Sequence, residues 1–271
     1  MNINLEIVAD ELSDLHSVSY TKDTLLLDID RFEWLDPLVP PENDVAYLTS
    51  AKALLSCHAL LPIKNLVCCG TPDAQFMQSM TGNVLVLPNE EASDALMTKL
   101  QEIILKYNKW SSDIAMHALR GDDFNSPLAD LASMILGNPL FFFNPSDLCV
   151  LYKGKFPEGF DDPDCLALIE GIRSGLPSTG FKMNAEAESK KTPYIFRTTP
   201  QCSLLVTNIF VDDVRYGKII YCDTSRPFSK GFMSLAQYFC EFMEILTNNA
   251  IKNERIGSQS TNFLIELLSK P

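Results

Sequence analysis

The residue types that carry out chemistry are sparse in this sequence, and none of them stands in a complete motif. The chain has three histidines, at positions 16, 58 and 117, so general-base catalysis has few candidates. The segment GIRSG (Gly171–Gly175) places its serine one position away from that of a G-x-S-x-G nucleophile elbow. A glycine that ends a helix explains this segment better.

Phosphate-binding and cation-binding patterns are also incomplete. GKFPEG (Gly154–Gly159) has the glycine spacing of a P-loop but lacks the lysine and hydroxyl that hold phosphate and magnesium. The sequence DDPD (161–164) precedes a helical run, where capping and the helix dipole explain it better than a bound cation does. The sequence therefore predicts no metal, no cofactor and no enzymatic activity.

The cysteines are better explained as small apolar side chains than as disulfides or metal ligands. No C-x-x-C occurs, and most of the cysteines lie inside apolar runs such as LVCCG and IIYCD. A zinc site built from Cys57-His58 and Cys68-Cys69 is the one alternative. Reduced thiols without a signal peptide predict a cytoplasmic protein. The eight cysteines are at positions 57, 68, 69, 149, 165, 202, 222 and 240.

The charge balance argues against direct contact with nucleic acid. The chain has 22 basic and 35 acidic residues, a formal net charge of −13. Proteins that bind DNA or RNA neutralise phosphates with clustered lysines and arginines, and no such cluster occurs here. No apolar stretch approaches the roughly 20 residues that cross a bilayer, so no membrane partner is expected.

The first half of the chain alternates strand-like and helical patterns. Short apolar runs that end at polar residues, Gly or Pro are typical of strands buried on both faces. Between the last three runs lie SAKALLSCHALL and TPDAQFMQSM, each long enough for a covering helix. This alternation predicts a small α/β domain with a parallel sheet. The predicted strands are Thr24–Ile29, Val45–Ser50, Asn65–Gly70 and Asn83–Pro88.

A long helix with a narrow apolar stripe follows. Apolar residues recur from Leu96 to Ala118 in steps of three and four, which is close to a coiled-coil seam. Such a stripe predicts either contact with a second copy of the chain or packing within its own chain. The residues expected at an interface between copies are Leu100, Ile103, Tyr107, Trp110 and Ile114.

The second half of the chain has the pattern helix, two strands, helix, three strands, helix. Pro127 and Gly137 delimit the first helix, and Ser126 is its expected cap. Asp212-Asp213 and Gly217 mark a hairpin between the last two strands. This order predicts an α+β domain around an antiparallel sheet, with a second striped helix starting at Phe228.

Several segments of the sequence resemble sequences of a known family. The connector LQEIILKYNKW, the segment ALRGDDFNSPLADLASMILGNPLFFFNPS and a later FLIELL are similar to the N-terminal sensory region of PucR-like bacterial transcription regulators (purine catabolism regulators, related to CdaR). The resemblance extends from about Thr24 to Leu268. It implies that the middle domain is GAF-like and that a C-terminal helix-turn-helix, not visible in this chain, reads DNA.

The resemblance also implies a domain division and a function. We expect an α/β domain at 1–90, a connector helix at 91–120, a GAF-like domain at 121–255 and the start of a linker at 256–271. The GAF-like domain would bind a small-molecule effector under its sheet and signal through the long helices of a homodimer. The predicted polar groups of the pocket are Tyr194, Arg197 and Thr207.

Two other classes of function fit the same residues. A closed apolar domain that only assembles into oligomers predicts the same residue types as a ligand-binding domain. An enzyme in the α/β domain would use polar groups at the carboxyl ends of its strands. Those groups would be Asp28, Asp30, Thr49, Ser50, Gly70, Thr71 and Pro88.

Overall fold

The computed structural model describes most of the chain as two units. It describes residues 1–20, 26–55, 62–89, 91–120, 127–155, 185–197 and 203–255, with single positions at 163, 166 and 170. Met1–Ser112 and Ser229–Ser234 form the first unit, and Asp113–Phe228 with Leu235–Pro271 form the second. The boundary at Ser112 lies inside the long helix that the sequence predicts as a connector.

The first unit contains a five-stranded mixed sheet among the described residues, in the order β1-β5-β4-β3-β2. Neighbouring strands from β2 to β5 are parallel, and β1 is antiparallel to β5. Every residue of β4 is buried, as expected of a strand covered on both faces. The strands are β1 (Val18–Tyr20), β2 (Arg31–Trp34), β3 (Val45–Ser50), β4 (Asn65–Cys69) and β5 (Asn83–Leu87).

Side-chain caps fix the starts of the short helices in this unit. The side chains of Asn4, Ser50 and Asp73 accept hydrogen bonds from backbone N–H groups in the first turns, where those donors have no helical partner. The helices are α1 (Leu5–Glu11), α2 (Ala51–Leu54) and α3 (Ala74–Ser79), followed by the long α4 (Asp94–Arg120).

Three of the four strands predicted in this unit are confirmed, and the one predicted at Thr24–Ile29 is wrong in its described part. Leu26–Asp28 form no strand, and Ile29 makes one isolated bridge with Ile3. The strand lies at Arg31–Trp34, on the edge of the sheet, where only Phe32 is buried. An edge strand has no continuous apolar run, and a search for such runs finds only strands that are buried on both faces.

The apolar stripe of α4 is buried within a single copy of the chain. Leu100, Ile103, Tyr107, Trp110 and Ile114 are between 0 and 5% exposed. In the first unit the helix is also tied to α1, because Glu11 accepts hydrogen bonds from Lys106 Nζ and the Tyr107 hydroxyl, both at 2.7 Å. Side chains this buried offer almost no area to a second copy. Packing within its own chain therefore accounts for the stripe, and assigning it to an interface between copies does not fit this structure.

The described part of the second unit contains a five-stranded sheet in which all neighbouring strands are antiparallel. Its order is β7-β6-β10-β9-β8, so β10 is the central strand. The strands are β6 (Leu140–Phe143), β7 (Cys149–Lys153), β8 (Tyr194–Arg197), β9 (Ser203–Val211) and β10 (Val214–Cys222). The helices are α5 (Pro127–Leu136), α6 (Ala185–Ser189) and α7 (Lys230–Arg255).

The sequence pattern predicted these five strands and the start of α5. Asp212 and Asp213 both have positive φ, as a two-residue hairpin between β9 and β10 requires. The sequence pattern predicts Gly217 as part of this turn, but Gly217 lies within β10 at a register shift between the two strands. The cap at Ser126 and nearly all of the helix predicted after Asp162 lie outside the described residues.

Candidate functional site

The structure does not bring the three predicted pocket residues together. Tyr194 is paired with Val206 across β8 and β9, and Thr207 follows Val206 directly in β9. Because successive side chains of a strand point to opposite faces, Tyr194 and Thr207 lie on different faces of the sheet. Arg197 is paired with Ser203, and its side chain lies outside the described part of the chain. The set Tyr194, Arg197 and Thr207 is therefore not one site.

Thr207 belongs to the face of the sheet that α7 covers. It is buried and interacts with the Tyr221 hydroxyl and the Cys240 thiol, which burial holds in their neutral forms by raising the pKa of each. The Cys240 thiol also donates to the carbonyl oxygen of Asn208 at 3.2 Å. These contacts account for Thr207 as part of the packing between the sheet and α7.

The face that carries Tyr194 combines an apolar core with an unusual group of charged side chains. The core on this face is formed by buried residues of three strands, among them Phe143, Val206 and Ile220, and Tyr194 packs against it. Next to this core lie four charged and two neutral polar side chains, which we call the sheet-face cluster. Its members are Asp147, Glu188, Tyr194, Asn208, Arg215 and Lys218.

Lys218 is the centre of the sheet-face cluster. Its side chain is 0% exposed, its Nζ lies 3.0 Å from Asp147 Oδ1, and it lies 5.1 Å from the centre of the Phe143 ring. Burial lowers the pKa of Lys218, and the Asp147 carboxylate opposes that effect. Arg215 binds the same Asp147 oxygen at 3.2 Å and approaches Glu188 at 3.8 Å. Two cations and two carboxylates thus share one face of the sheet.

A tight turn places Asp147 against these cations. The Asn144 side-chain oxygen accepts hydrogen bonds from the backbone N–H groups of Ser146 and Leu148, both at 3.0 Å. Asp147 has a φ of 58°, a left-handed conformation that aspartate and asparagine tolerate better than most residues do. The sequence NPSD, read as a turn between β6 and β7, therefore also supplies the anion of the cluster.

Asn208 joins the cluster to α6 and to α7. Its Nδ2 donates to the carbonyl oxygens of Ala187 at 2.9 Å and Lys190 at 3.0 Å, which fixes the end of α6. Burial raises the pKa of Tyr194 to about 12, and the Asn208 side chain beside the hydroxyl opposes this rise. The backbone carbonyl oxygen of Asn208 accepts a hydrogen bond from the Cys240 thiol of α7. Asn208 therefore contacts both the sheet-face cluster and α7.

The sequence does indicate this site, through two polar residues that stand inside otherwise apolar strands. Lys218 and Asn208 are polar residues inside the long strand runs GKIIYC and LLVTNIF, and they are paired directly across β9 and β10. Charged residues are almost never fully buried unless they are paired. A lysine in a central strand, opposite an asparagine, therefore predicts a polar site on that face.

The residues needed for an enzyme in the first unit lie at opposite ends of the sheet. Asp28 pairs with Lys64, directly before β4, at 2.8 Å, and Asp30 precedes β2, so both lie near the amino ends of the parallel strands. Ser50 is the last residue of β3 and Gly70 directly follows β4, so both lie at the carboxyl ends of these strands. Ser50 also caps α2. Asp28 and Asp30 are therefore separated from the other residues of the enzyme hypothesis, which lie at or just after the carboxyl ends of β3, β4 and β5: Thr49, Ser50, Gly70, Thr71 and Pro88.

Burial makes three of the described cysteines poor nucleophiles. Burial raises the pKa of Cys68 and of Cys149 to about 12 and that of Cys69 to about 11. The thiolate is the reactive form of cysteine, so these side chains stay neutral at physiological pH. Cys57 and His58, the other half of the zinc alternative, lie outside the described residues. Within the described ranges, no three His, Cys, Asp or Glu side chains are grouped so as to hold a metal ion.

These raised pKa values predict a loss of stability at alkaline pH. A buried thiol keeps its proton in the folded state while the unfolded thiol loses it above its ordinary pKa of 9.0. The stabilising contribution is therefore complete below pH 9.0 and disappears as the pH rises toward the folded value of about 12. Because Cys68→Ala removes this contribution, the free-energy difference between wild type and variant should shrink by about 1.4 kcal/mol per pH unit above pH 9.0. Urea unfolding under reducing conditions across this range measures it, and a constant difference would contradict it.

The fold and the cluster together define a two-unit protein with an α/β unit and an antiparallel α+β unit. Among the described residues, one sheet face of the second unit carries the buried Lys218 together with the partly buried Asp147 and Arg215. Comparison of the sequence with models of known protein families and with curated proteins finds no match. None of the described helices is long and apolar enough to span a membrane.

Proposed function

We propose that this chain is the sensory region of a PucR-like transcription regulator and that its second unit binds a small polar metabolite at the sheet-face cluster. The observation that carries the proposal is the fully buried Lys218, held between Asp147 and the Phe143 ring on a sheet face. An antiparallel sheet with flanking helices is the architecture that the resemblance to a GAF-like domain implies.

Stability alone is a poor explanation for such a lysine. Removing two charges from water costs several kcal/mol, and well-packed apolar residues in their place are often as stable or more so. Buried ionisable groups with shifted pKa values instead concentrate at functional sites. Small-molecule sites characteristically combine apolar walls with a few polar groups that fix orientation. The sheet-face cluster has this composition, with Tyr194 and Asn208 as neutral hydrogen-bonding groups beside the charged pair.

The cluster suits a ligand that both donates and accepts hydrogen bonds. Lys218 and Arg215 are donors, Asp147 and Glu188 are acceptors, and the four formal charges sum to zero. A planar heterocycle with ring nitrogens and carbonyl oxygens, such as a purine, matches this balance better than a strongly charged ligand does. Purines are also the effectors that the family resemblance suggests.

In this proposal the signal leaves the site through Asn208. Its side chain belongs to the sheet-face cluster, and its backbone carbonyl oxygen accepts a hydrogen bond from the Cys240 thiol of α7. Glu244, one turn further along α7, accepts from the backbone N–H of Phe210 at 2.9 Å. A ligand that binds two arrangements of β9 with different affinity would therefore bias the position of α7. DNA would be bound by a separate helix-turn-helix domain, because the acidic charge of this chain disfavours contact with phosphates.

A thermal-shift screen with hypoxanthine, xanthine and urate tests the proposal. A ligand present at about one hundred times its dissociation constant should stabilise the unit that binds it by about 2.7 kcal/mol. Lys218→Met should abolish the shift while the chain stays folded. Lys191→Met provides the matched control, because Lys191 is an exposed lysine that pairs with Asp213 outside the cluster. An equal shift in the Lys218 variant would refute the site.

A further inference from the structure

The two edges of the sheet in the first unit differ in how they are protected. On the outer strand β2, Arg31 forms ion pairs with Glu33 at 2.7 Å and Glu42 at 2.8 Å and approaches Asp44 at 3.8 Å. Charges along an edge oppose pairing with strands of other molecules, because they would have to be desolvated or brought against like charges. Pairing of the β2 edge with a strand of another molecule is therefore disfavoured.

The opposite edge, β1, carries no charged side chain. It consists of Val18, Ser19 and Tyr20, and the two larger side chains are 50 and 53% exposed. Among the described residues no strand lies on its outer side. Unpaired backbone groups on such an edge can form hydrogen bonds with an added strand.

A groove lies beside the β1 edge. Its volume is about 460 Å³, and it lies between the end of β1, α3 and the start of α7. Methionine side chains adapt to partners of different shape, which is why they are frequent at binding surfaces. Lys230 is the one charged side chain among the residues that line the groove. The other principal lining residues are Ser19, Tyr20, Met77, Met80 and Val84.

We infer that the β1 edge pairs with the β1 edge of a second copy of this chain, so that two sheets join across a twofold axis. The sequence Val-Ser-Tyr is complementary to itself in antiparallel register centred on Ser19. In that register Val18 of each copy lies opposite Tyr20 of the other on one face, and the two Ser19 residues lie opposite each other. Pairs of an aromatic and a β-branched residue are among the favourable cross-strand pairs.

The charge of the chain favours this edge over other surfaces for contact between copies. Each copy has a formal net charge of −13, so two copies repel one another over most approaches. The side chains of β1 are themselves uncharged, and the Glu6 carboxylate that accepts from Ser19 Oγ at 3.0 Å is paired with Lys230, so the edge adds little repulsion at the point of contact. Salt screens the remaining long-range repulsion, so the dimer should become tighter from about 0.05 M to about 0.5 M NaCl. The inference is independent of the proposed ligand site, which lies in the second unit.

Sedimentation equilibrium of the full chain over a concentration series tests the inference. Val18→Lys should weaken dimerisation by about tenfold or more, since it places two extra charges at the paired edges. Val39→Lys is the matched control, because Val39 is also an exposed valine of the same unit, 55% exposed, and is not part of β1. It should dimerise like the wild type.

A cysteine at the predicted twofold axis identifies the register. Directly opposed residues of antiparallel strands have Cβ atoms about 4.5–5.5 Å apart, close enough for a disulfide after a small adjustment. Mild oxidation should therefore cross-link Ser19→Cys to covalent dimers, whereas Val39→Cys and the unsubstituted chain should show none. A chain that is monomeric at all concentrations, a dimer that persists in Val18→Lys, or a β1 edge that captures only a foreign extended peptide would each overturn the inference.

Discussion

Asp147→Asn should lower the free energy of unfolding of the second unit by about 2–3 kcal/mol. The variant keeps the size of the side chain and its tolerance of the left-handed backbone, but it leaves the buried Lys218 without the carboxylate at 3.0 Å. Breaking one partner of a buried pair typically costs about 3–5 kcal/mol. Since Asp147 is partly exposed, solvent should reduce this cost. Urea denaturation followed by circular dichroism measures the change.

Asp213→Asn is a matched control for this prediction. Asp213 also has a positive φ, and it also pairs with a lysine, Lys191, but both of those side chains are exposed. The same chemical change should therefore leave stability essentially unaltered, because exposed ion pairs contribute little. Equal losses in the two variants would show that the charge on Asp147 has no special importance.

Gly231→Ala should destabilise the first unit by about 2 kcal/mol, although alanine is the better helix former. Gly231 lies in the first turn of α7, and an added Cβ would lie 2.4 Å from Asp10 Oδ2 and 2.6 Å from the carbonyl oxygen of Glu6. The second of these atoms is backbone, so the clash cannot be relieved by rotating a side chain. Overpacking of this kind costs about 1–3 kcal/mol.

The sign of the change is the decisive readout for Gly231→Ala. Without the contact to α1, replacing a helical glycine with alanine should increase stability by about 1 kcal/mol. The surrounding contacts support a fixed approach of the two helices: Asn4 Nδ2 donates to Ser234 Oγ at 2.9 Å, and Ser229 donates to Asp10. Thermal unfolding of the variant, with hydrogen exchange of the amides that follow Gly231, checks the result. A more stable variant would contradict this packing.

Sequence patterns predicted the parts of the fold that depend on burial. β3, β4 and β5 lie in continuous apolar runs because other elements cover both their faces. β1 and β2 lie at the edges of the sheet and expose half or more of their residues, so they have no comparable run. The stripe of α4 was recognised correctly as apolar, but periodicity cannot tell whether the surface that covers it belongs to the same chain.

The site was predicted less well because it depends on which face of a strand each residue occupies. Choosing Tyr194 and Thr207 together required a register in which both point to one face, and the pairing of Tyr194 with Val206 excludes that register. Lys218 precedes a buried apolar run in β10, so an apolar pattern gives no indication of a site at this position. Its carboxylate partner lies 71 positions earlier in a turn, and only the folded sheet brings the two together.

Isothermal titration calorimetry of the full chain with hypoxanthine, xanthine and urate tests the central claim most directly. We predict saturable binding of at least one of these compounds to the wild type and to Lys191→Met, and loss of that binding in Lys218→Met. All three proteins should show the same fold by circular dichroism. Absence of heat with every compound, or unchanged affinity in Lys218→Met, would contradict the assignment of the sheet-face cluster as the sensory site.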